Sequence, residues 1–256
     1  MNKIILLPLL LIQLTLLAES FNVETLPYLR TREYPKQPYD KIVVFSASRT
    51  GSSLVYNIFR FLFEKEEFLS SPHNEFLLSR SVLKTHKIPE IEILKQTKEN
   101  ILYIIPIRDP LQASISIYRI QTGSIKNMQT LCKTLINRQV QYLNYIESLK
   151  KAGYSIAIIR YEDVEKDSCH HLFNFITNHF FLSISEQDMQ MIKDGYSKEN
   201  IYANIQLFSD FREVLPLSGF HGKHVSLEKF NPPKELLYWL NYYLEDFKPL
   251  FKSYGY

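Results

Sequence analysis

The fold of this chain is decided by residues 46–53, which read Ser-Ala-Ser-Arg-Thr-Gly-Ser-Ser. They follow the apolar run Ile42–Phe45 and precede the amphipathic run Leu54–Phe63, so the pattern predicts a strand, a tight turn and a helix start. Such a turn directs backbone N–H groups and a helix N-terminus at one spot, which suits an oxyanion such as phosphate or sulfate. Gly51 lets the backbone approach the anion, and Arg49 adds a positive charge.

The same segment does not have the pattern of a nucleoside triphosphate loop. The pattern G-x-x-x-x-G-K-[ST] requires a glycine where Ser46 stands and a lysine directly after Gly51. Hydroxyl groups in the segment add further hydrogen-bond donors, at Ser48, Thr50, Ser52 and Ser53. The segment therefore predicts an oxyanion site that differs from the site of an ordinary triphosphate bound with magnesium.

Length and composition indicate one folded α/β domain. The chain has 256 residues, of which 45% are hydrophobic and 22% are charged, as in a globular protein. The net charge of +3 is too small to indicate nucleic acid, so no nucleic-acid partner is predicted. No internal repeat or long linker divides the chain.

The first twenty residues predict a targeting segment. Lys3 precedes an apolar run over residues 4–17, and Ala18-Glu19-Ser20 resembles a cleavage site. The run is shorter than the roughly 20 residues that span a membrane, so a signal peptide is expected, with a short signal anchor as the alternative. The protein is therefore expected to be exported or in the secretory pathway, and N-terminal sequencing distinguishes cleavage from a membrane tether. Residues 21–40 predict an extended lead-in to a domain over residues 41–256.

Apolar runs alternate with amphipathic runs along this domain. Strands are predicted at Lys41–Phe45, Ser81–Lys84, Ile101–Ile107 and Ser155–Arg160. Helices are predicted at Leu54–Phe63, Leu111–Tyr118, Met128–Lys151, His170–Phe181 and Lys234–Phe251. The alternation is typical of a parallel sheet with helices on both faces, and such sheets bind ligands at the carboxyl ends of their strands.

A basic cluster ends the third predicted strand. Asp109 is a good helix N-cap and Pro110 a good first helical residue, so a helix is predicted to begin directly after Arg108. Arg108 at the strand end and Ser116 on this helix are then placed to reach one phosphate, because a guanidinium binds two oxyanion oxygens at once. The alternative is a helix cap with a surface salt bridge.

Further polar residues follow the other strands. Lys84 and His86 lie two residues apart at the end of a predicted strand, so their side chains are on the same face. A histidine can accept a proton from an acceptor hydroxyl, and a lysine can neutralise charge that develops on a transferred group. Tyr161 is placed to contact a nucleotide. The alternative for this cluster is that Glu162 and Asp163, which follow Tyr161, cap the next helix. The basic sequence around Gly222-Lys223-His224 predicts a loop that makes a second anion contact. The alternative is a loop that is exposed to solvent and binds nothing.

No metal site is predicted from the sequence. Cys132 and Cys169 lack the spacing of zinc ligands, and no second ligand pair completes a site with His170 and His171. Two ordinary thiols are expected, with a disulfide as the alternative in an exported chain.

In this order the segments resemble the sulfotransferase family, whose members move a sulfuryl group from 3′-phosphoadenosine 5′-phosphosulfate (PAPS) to a hydroxyl or amine. The resemblance covers most of the chain from Lys41 onward and implies a single α/β domain with the P-loop-like sulfotransferase fold. Residues 49–53 match the family's 5′-phosphosulfate loop, and Arg108 with Ser116 matches its 3′-phosphate motif. The tryptophan that often follows the loop is replaced by Leu54.

The resemblance also implies roles for individual residues. It implies His86 as general base, Lys84 and Arg49 as charge stabilisers, and Tyr161 as an adenine contact. It implies that the loop holds the 5′-phosphate through Arg49, Thr50, Gly51, Ser52 and Ser53, and that Gly222 and Lys223 lie near the 3′-phosphate. The product would be adenosine 3′,5′-bisphosphate (PAP), no metal is implied, and the acceptor is an unidentified glycan, protein, lipid or small molecule.

Two alternative functions fit the same residues. A P-loop kinase of a small molecule requires a magnesium carboxylate, for which Asp109 is the candidate, and a loop lysine. A non-catalytic exported protein of the same fold would bind the nucleotide without turnover.

Overall fold

A computed structural model describes residues 38–63, 82–88, 100–118, 124–205 and 231–256. The predicted signal or anchor segment, residues 21–37 of the lead-in, and the loop with Gly222 and Lys223 lie outside these ranges. No helix within them is long and apolar enough to cross a membrane.

The described residues contain one sheet of four parallel strands. Its members are β1 (Lys41–Phe45), β2 (Val82–Thr85), β3 (Ile101–Ile107) and β4 (Ser155–Arg160). They confirm the four predicted strands to within one residue. The order across the sheet is β2-β1-β3-β4, so β1 pairs with β2 on one side and with β3 on the other. The predicted fold class is therefore confirmed.

Helices follow the strands, as the amphipathic runs predict. They are α1 (Ser52–Phe63), α2 (Pro110–Tyr118), α3 (Ile125–Lys151), α4 (Tyr161–Lys166), α5 (His170–Phe180), α6 (Glu186–Gly195), α7 (Lys198–Ile205), α8 (Lys234–Leu244) and α9 (Lys248–Lys252). The prediction of one helix over Lys234–Phe251 was wrong, because a 3₁₀ turn at Glu245–Phe247 separates α8 from α9. Pro249 lacks an N–H and is accommodated in the first turn of α9, where none is needed. Helices α4, α6 and α7 were not predicted.

Two apolar cores form on the two faces of the sheet. Along β1, Ile42 and Val44 pack against α1 and α5 on one face. Val43 and Phe45 point the other way and pack against α3 and α8. This alternation follows from the twofold period of a strand, and it buries both faces of a parallel sheet.

All four strands end at one edge of the sheet, because they are parallel. The loop after β1, His86 after β2, Arg108 after β3 and Tyr161 after β4 therefore emerge side by side, in the order in which the strands pair. The chain leaves β1 toward β2 and later returns to the other side of β1 at β3. This reversal between β1 and β3 is the position at which open α/β sheets bind ligands.

The two cysteines lie on opposite faces of the sheet. Cys132 on α3 is buried in the core with Val43, and Cys169 before α5 is buried in the core with Ile42. Both thiols are free. The sheet between them prevents a disulfide within the folded chain, so the expectation of two ordinary thiols is confirmed.

We expect neither thiol to react with Ellman's reagent in the native protein, and both to react after denaturation without reductant. Burial raises the pKa of Cys132 and of Cys169 to about 11, so little reactive thiolate is present at pH 8. The Cys169→Ser variant should release one thiol fewer on denaturation. A denatured, unreduced chain with no titratable thiol would contradict this arrangement.

Candidate functional site

The loop between β1 and α1 turns sharply through two residues with positive φ. Arg49 has φ of 69° and Gly51 has φ of 83°. Between them Thr50 is buried, and its hydroxyl donates to the carbonyl of Ala47 at 2.9 Å. Because the hydroxyl proton is used inside the loop, the backbone N–H is the donor that Thr50 retains for a ligand. Ser52 and Ser53 follow in the first turn of α1, where backbone N–H groups have no partner within the helix.

Tyr161 lies against this loop from the end of β4. A Cβ atom at position 51 would collide with the Tyr161 ring, so a glycine is needed there for packing as well as for backbone conformation. The Arg108 guanidinium carbon lies 4.4 Å from the centroid of the same ring. Burial raises the pKa of Tyr161 to about 12, so its phenol is neutral at physiological pH. Tyr161 therefore contacts both the loop, at Gly51, and Arg108 at the end of β3.

Lys84 contacts the end of the loop, whose own residues include no lysine. It lies on β2, beside β1, and its Nζ donates to the Ser53 hydroxyl oxygen at 2.7 Å. The side chain is only 4% exposed, and burial lowers its pKa from 10.5 to about 8. Because the Ser53 oxygen accepts from Lys84, its own proton remains available for donation to an anion.

His86 is held at its ring and at its backbone. Its Nδ1 donates to the Ser46 carbonyl at 2.7 Å, and its own carbonyl accepts from the hydroxyl of Tyr142 on α3. A carbonyl only accepts, so Nδ1 carries the hydrogen and Nε2 of the neutral ring carries the lone pair. In its neutral form the ring therefore has the tautomer that a general base at Nε2 requires.

Arg49, Arg108 and Ser116 form one cluster. The Nε and Nη2 atoms of Arg49 donate to the Ser116 hydroxyl oxygen at 3.2 and 2.7 Å. Arg108 Nη1 donates to the Arg49 carbonyl at 3.4 Å, and its buried Nε has no hydrogen-bond partner among the described residues. Ser116 thus accepts from a cation and retains its own proton for donation, as Ser53 does. The sequence did not predict the contact between Arg49 and Ser116, which joins residues from the two separate predicted phosphate sites.

Glu162, one of the two predicted helix caps after β4, instead contacts two other segments of the chain. Glu162 accepts the backbone N–H of Asp109 through Oε1 at 2.9 Å, and the hydroxyl of Tyr256 through Oε2 at 2.7 Å. Asp109 itself accepts the N–H of Leu111 at 2.8 Å, which confirms it as the N-cap of α2. Nothing in the sequence marks Tyr256, because it is one of 17 tyrosines.

The structure describes all but two of the predicted site residues. Gly222 and Lys223 lie outside the described ranges, and the other predicted residues lie at one edge of the sheet. Within the described ranges, no group of three or more His, Cys, Asp or Glu side chains is placed to hold a metal ion. Among the described residues, the site includes the cationic side chains of Lys84, Arg49 and Arg108, and the hydroxyl groups of Ser53 and Ser116, each of which accepts from a cation.

Comparison with known proteins gives a structural likeness. No family model and no curated protein matches the sequence. Among solved structures, the chain is similar to the mouse sulfotransferase SULT7A1, solved as a complex with PAP, with a TM-score of 0.52 and 16% sequence identity. The likeness covers 91% of this chain and 89% of that chain. The chain therefore has the sulfotransferase fold.

Replacing Lys84 with methionine should raise the free energy of unfolding at pH 7 by about 1–3 kcal/mol, because it removes a buried charge. Below pH 8 the lysine is charged in both the folded and the unfolded chain, so the full penalty of burying it applies. Between pH 8 and 10.5 the folded protein loses the proton first, so the wild type gains stability as the pH rises. The advantage of the variant should therefore shrink over that range.

Urea denaturation at several pH values measures this difference. The control is Lys87→Met, because Lys87 is exposed beyond the end of β2 and its removal relieves no buried charge. A difference between wild type and Lys84→Met that stays constant from pH 7 to 10 would contradict the lowered pKa.

Proposed function

We propose that this protein is a sulfotransferase, which moves a sulfuryl group from PAPS to a hydroxyl or amine of an acceptor. The observation that carries the proposal is the contact of the buried Lys84 Nζ with the Ser53 hydroxyl at 2.7 Å. It gives a loop without its own lysine a cation from the neighbouring strand, on the side from which His86 also contacts the loop. The likeness in fold to a PAP-bound sulfotransferase supports the same function.

The donor carries two anionic groups, and the site offers two sets of hydrogen-bond donors. The 5′-phosphosulfate fits the backbone of residues 50–53 with the Ser53 hydroxyl and Lys84. The 3′-phosphate fits Arg108 and Ser116, because the buried Arg108 Nε lacks a partner among the described residues and the Ser116 proton is available. Arg49 contacts Ser116 and so adds its charge between the two phosphates. Hydrogen bonds to charged groups of this kind are the strong ones in proteins.

The transfer then requires a base and charge stabilisation. The acceptor oxygen or nitrogen bonds to sulfur as the bond between sulfur and the bridging phosphate oxygen breaks, and the electron pair of that bond stays on PAP. His86 takes the acceptor's proton at Nε2. Lys84 stabilises the charge that develops on the bridging oxygen and on the transferred group, and Arg49 adds positive charge from the Ser116 side. Positioning and fixed charge supply most of the acceleration in transfers of this kind.

The kinase alternative predicts a different use of the same residues. It requires Asp109 as a magnesium ligand, whereas one carboxylate oxygen of Asp109 accepts the Leu111 N–H as a helix cap. Calorimetry with ATP and magnesium against PAP without metal separates the two functions. The release of PAP from PAPS with a panel of hydroxyl and amine acceptors distinguishes a sulfotransferase from a non-catalytic protein that binds the same nucleotide.

Replacing Arg108 with alanine should weaken the binding of PAP by about 10- to 100-fold, because hydrogen bonds to a charged phosphate are lost. The binding of adenosine 5′-phosphate should change less than threefold, since this ligand lacks the 3′-phosphate. Calorimetry measures both, with Arg138→Ala on the exposed face of α3 as the control. Equal weakening of both ligands would contradict the assignment of Arg108 to the 3′-phosphate.

Replacing His86 with alanine should lower turnover by about 100- to 10,000-fold and leave the affinity for PAP within threefold, because a general base acts on the acceptor's proton only. The release of PAP from PAPS measures turnover once the panel has identified an acceptor. His171→Ala is the matched control, because His171 is exposed on α5. Unchanged turnover in the His86 variant would remove this residue from the role of base.

A further inference from the structure

The Glu162 carboxylate bridges the end of β3 and the segment that ends at Tyr256. One oxygen accepts the N–H of Asp109 at 2.9 Å, and the other accepts the Tyr256 hydroxyl at 2.7 Å. The peptide that carries the Asp109 N–H also carries the carbonyl of Arg108. Glu162 therefore restrains the backbone at the point where the Arg108 side chain leaves it.

Tyr256 is itself held firmly in place. Its backbone N–H donates to the Phe251 carbonyl at 3.1 Å, and the Arg160 guanidinium carbon lies 4.9 Å from the centroid of its ring. Gly255 has φ of 89°, and a Cβ atom there would lie 3.0 Å from Nη1 of Arg160, so the turn before Tyr256 fits closely against Arg160. Burial, together with the Glu162 carboxylate, raises the pKa of Tyr256, so its hydroxyl remains a donor.

Within the part of the chain that the structure describes, Arg108 makes few contacts that fix its side chain. Its guanidinium makes a 3.4 Å hydrogen bond to the Arg49 carbonyl and stacks on Tyr161, while its Nε lacks a partner among the described residues. The direction of the side chain therefore depends on the backbone from which it starts. That backbone is restrained by the charge-assisted hydrogen bond from the Asp109 N–H to Glu162, and the Tyr256 hydroxyl holds Glu162 in turn.

We propose that Tyr256 and Glu162 are positioning residues for the 3′-phosphate contact, acting through the Asp109 peptide to hold Arg108 toward the nucleotide. The proposal rests on the proposed sulfotransferase function.

The test is Tyr256→Phe, which removes one hydroxyl and keeps the ring against Arg160. We expect the dissociation constant of PAP to rise about 3- to 10-fold, the range of one ordinary hydrogen bond, because the lost hydroxyl acts on Arg108 only through Glu162 and the Asp109 peptide. The dissociation constant of adenosine 5′-phosphate should stay within twofold. The matched control is Tyr243→Phe, which removes a 2.7 Å hydrogen bond to Asn137 between α8 and α3, away from the Arg108 turn.

Two further variants separate positioning from general stability. Glu162→Gln keeps an oxygen for the Asp109 N–H and should retain PAP binding within threefold, whereas Glu162→Ala should weaken it at least as much as Tyr256→Phe does. In an Arg108→Ala background, Tyr256→Phe should have no further effect on PAP, because the side chain that it positions is absent. Circular dichroism and thermal unfolding verify that each variant is folded.

Each result decides the proposal. If wild type binds PAP and Arg108→Ala weakens it, but Tyr256→Phe behaves like Tyr243→Phe, the positioning role is overturned and the proposed function stands. Equal losses for PAP and adenosine 5′-phosphate, or a full effect of Tyr256→Phe in the Arg108→Ala background, also overturn it. If wild type does not bind PAP, both the proposed function and the positioning role fail.

Discussion

The site depends on the parallel pairing of β1 with β2 on one side and β3 on the other. This pairing brings the carboxyl ends of the strands to one edge, in an order that puts the loop after β1 between His86 and Arg108. The contacts of the site follow that order. Residues at the end of β2 contact the loop, Arg108 at the end of β3 contacts it from the other side, and Glu162 after β4 contacts the β3 end. Each contact thus joins the ends of neighbouring strands.

Two pairs of a cation and a hydroxyl define the chemistry of this edge. Lys84 donates to Ser53, and Arg49 donates to Ser116, so each hydroxyl oxygen accepts from a cation and its proton is available for donation. An arrangement of this kind favours an anion over a neutral ligand. It also opposes stability, because burial of Lys84 lowers its pKa to about 8 and disfavours its charged form in the folded chain. Sites that perform chemistry often retain such unfavourable groups because function requires them.

Local patterns predicted the elements better than they predicted their contacts. The four strands were found to within one residue, because apolar runs bounded by polar residues are a local signal. The α6 and α7 segments are short and largely polar, so their periodicity did not mark them as helices. A 3₁₀ turn at Glu245–Phe247 separates α8 from α9, although the apolar pattern runs through both. Arg49 was assigned to the 5′-phosphosulfate by its position in the loop, yet its guanidinium lies on Ser116, 67 residues away in sequence.

The sequence alone determined the strand–loop–helix unit around residues 46–53 and the positions of Lys84, His86, Arg108 and Ser116 relative to their strands. It did so because turn chemistry and side-chain period act over a few residues. Only the tertiary structure decided that Lys84 completes the loop after β1, that Arg49 contacts Ser116, and that Tyr256 holds Glu162. These contacts depend on which strands pair and on where distant segments return to the sheet. That choice is made by burial of the two cores as a whole, and no local pattern of residues encodes it.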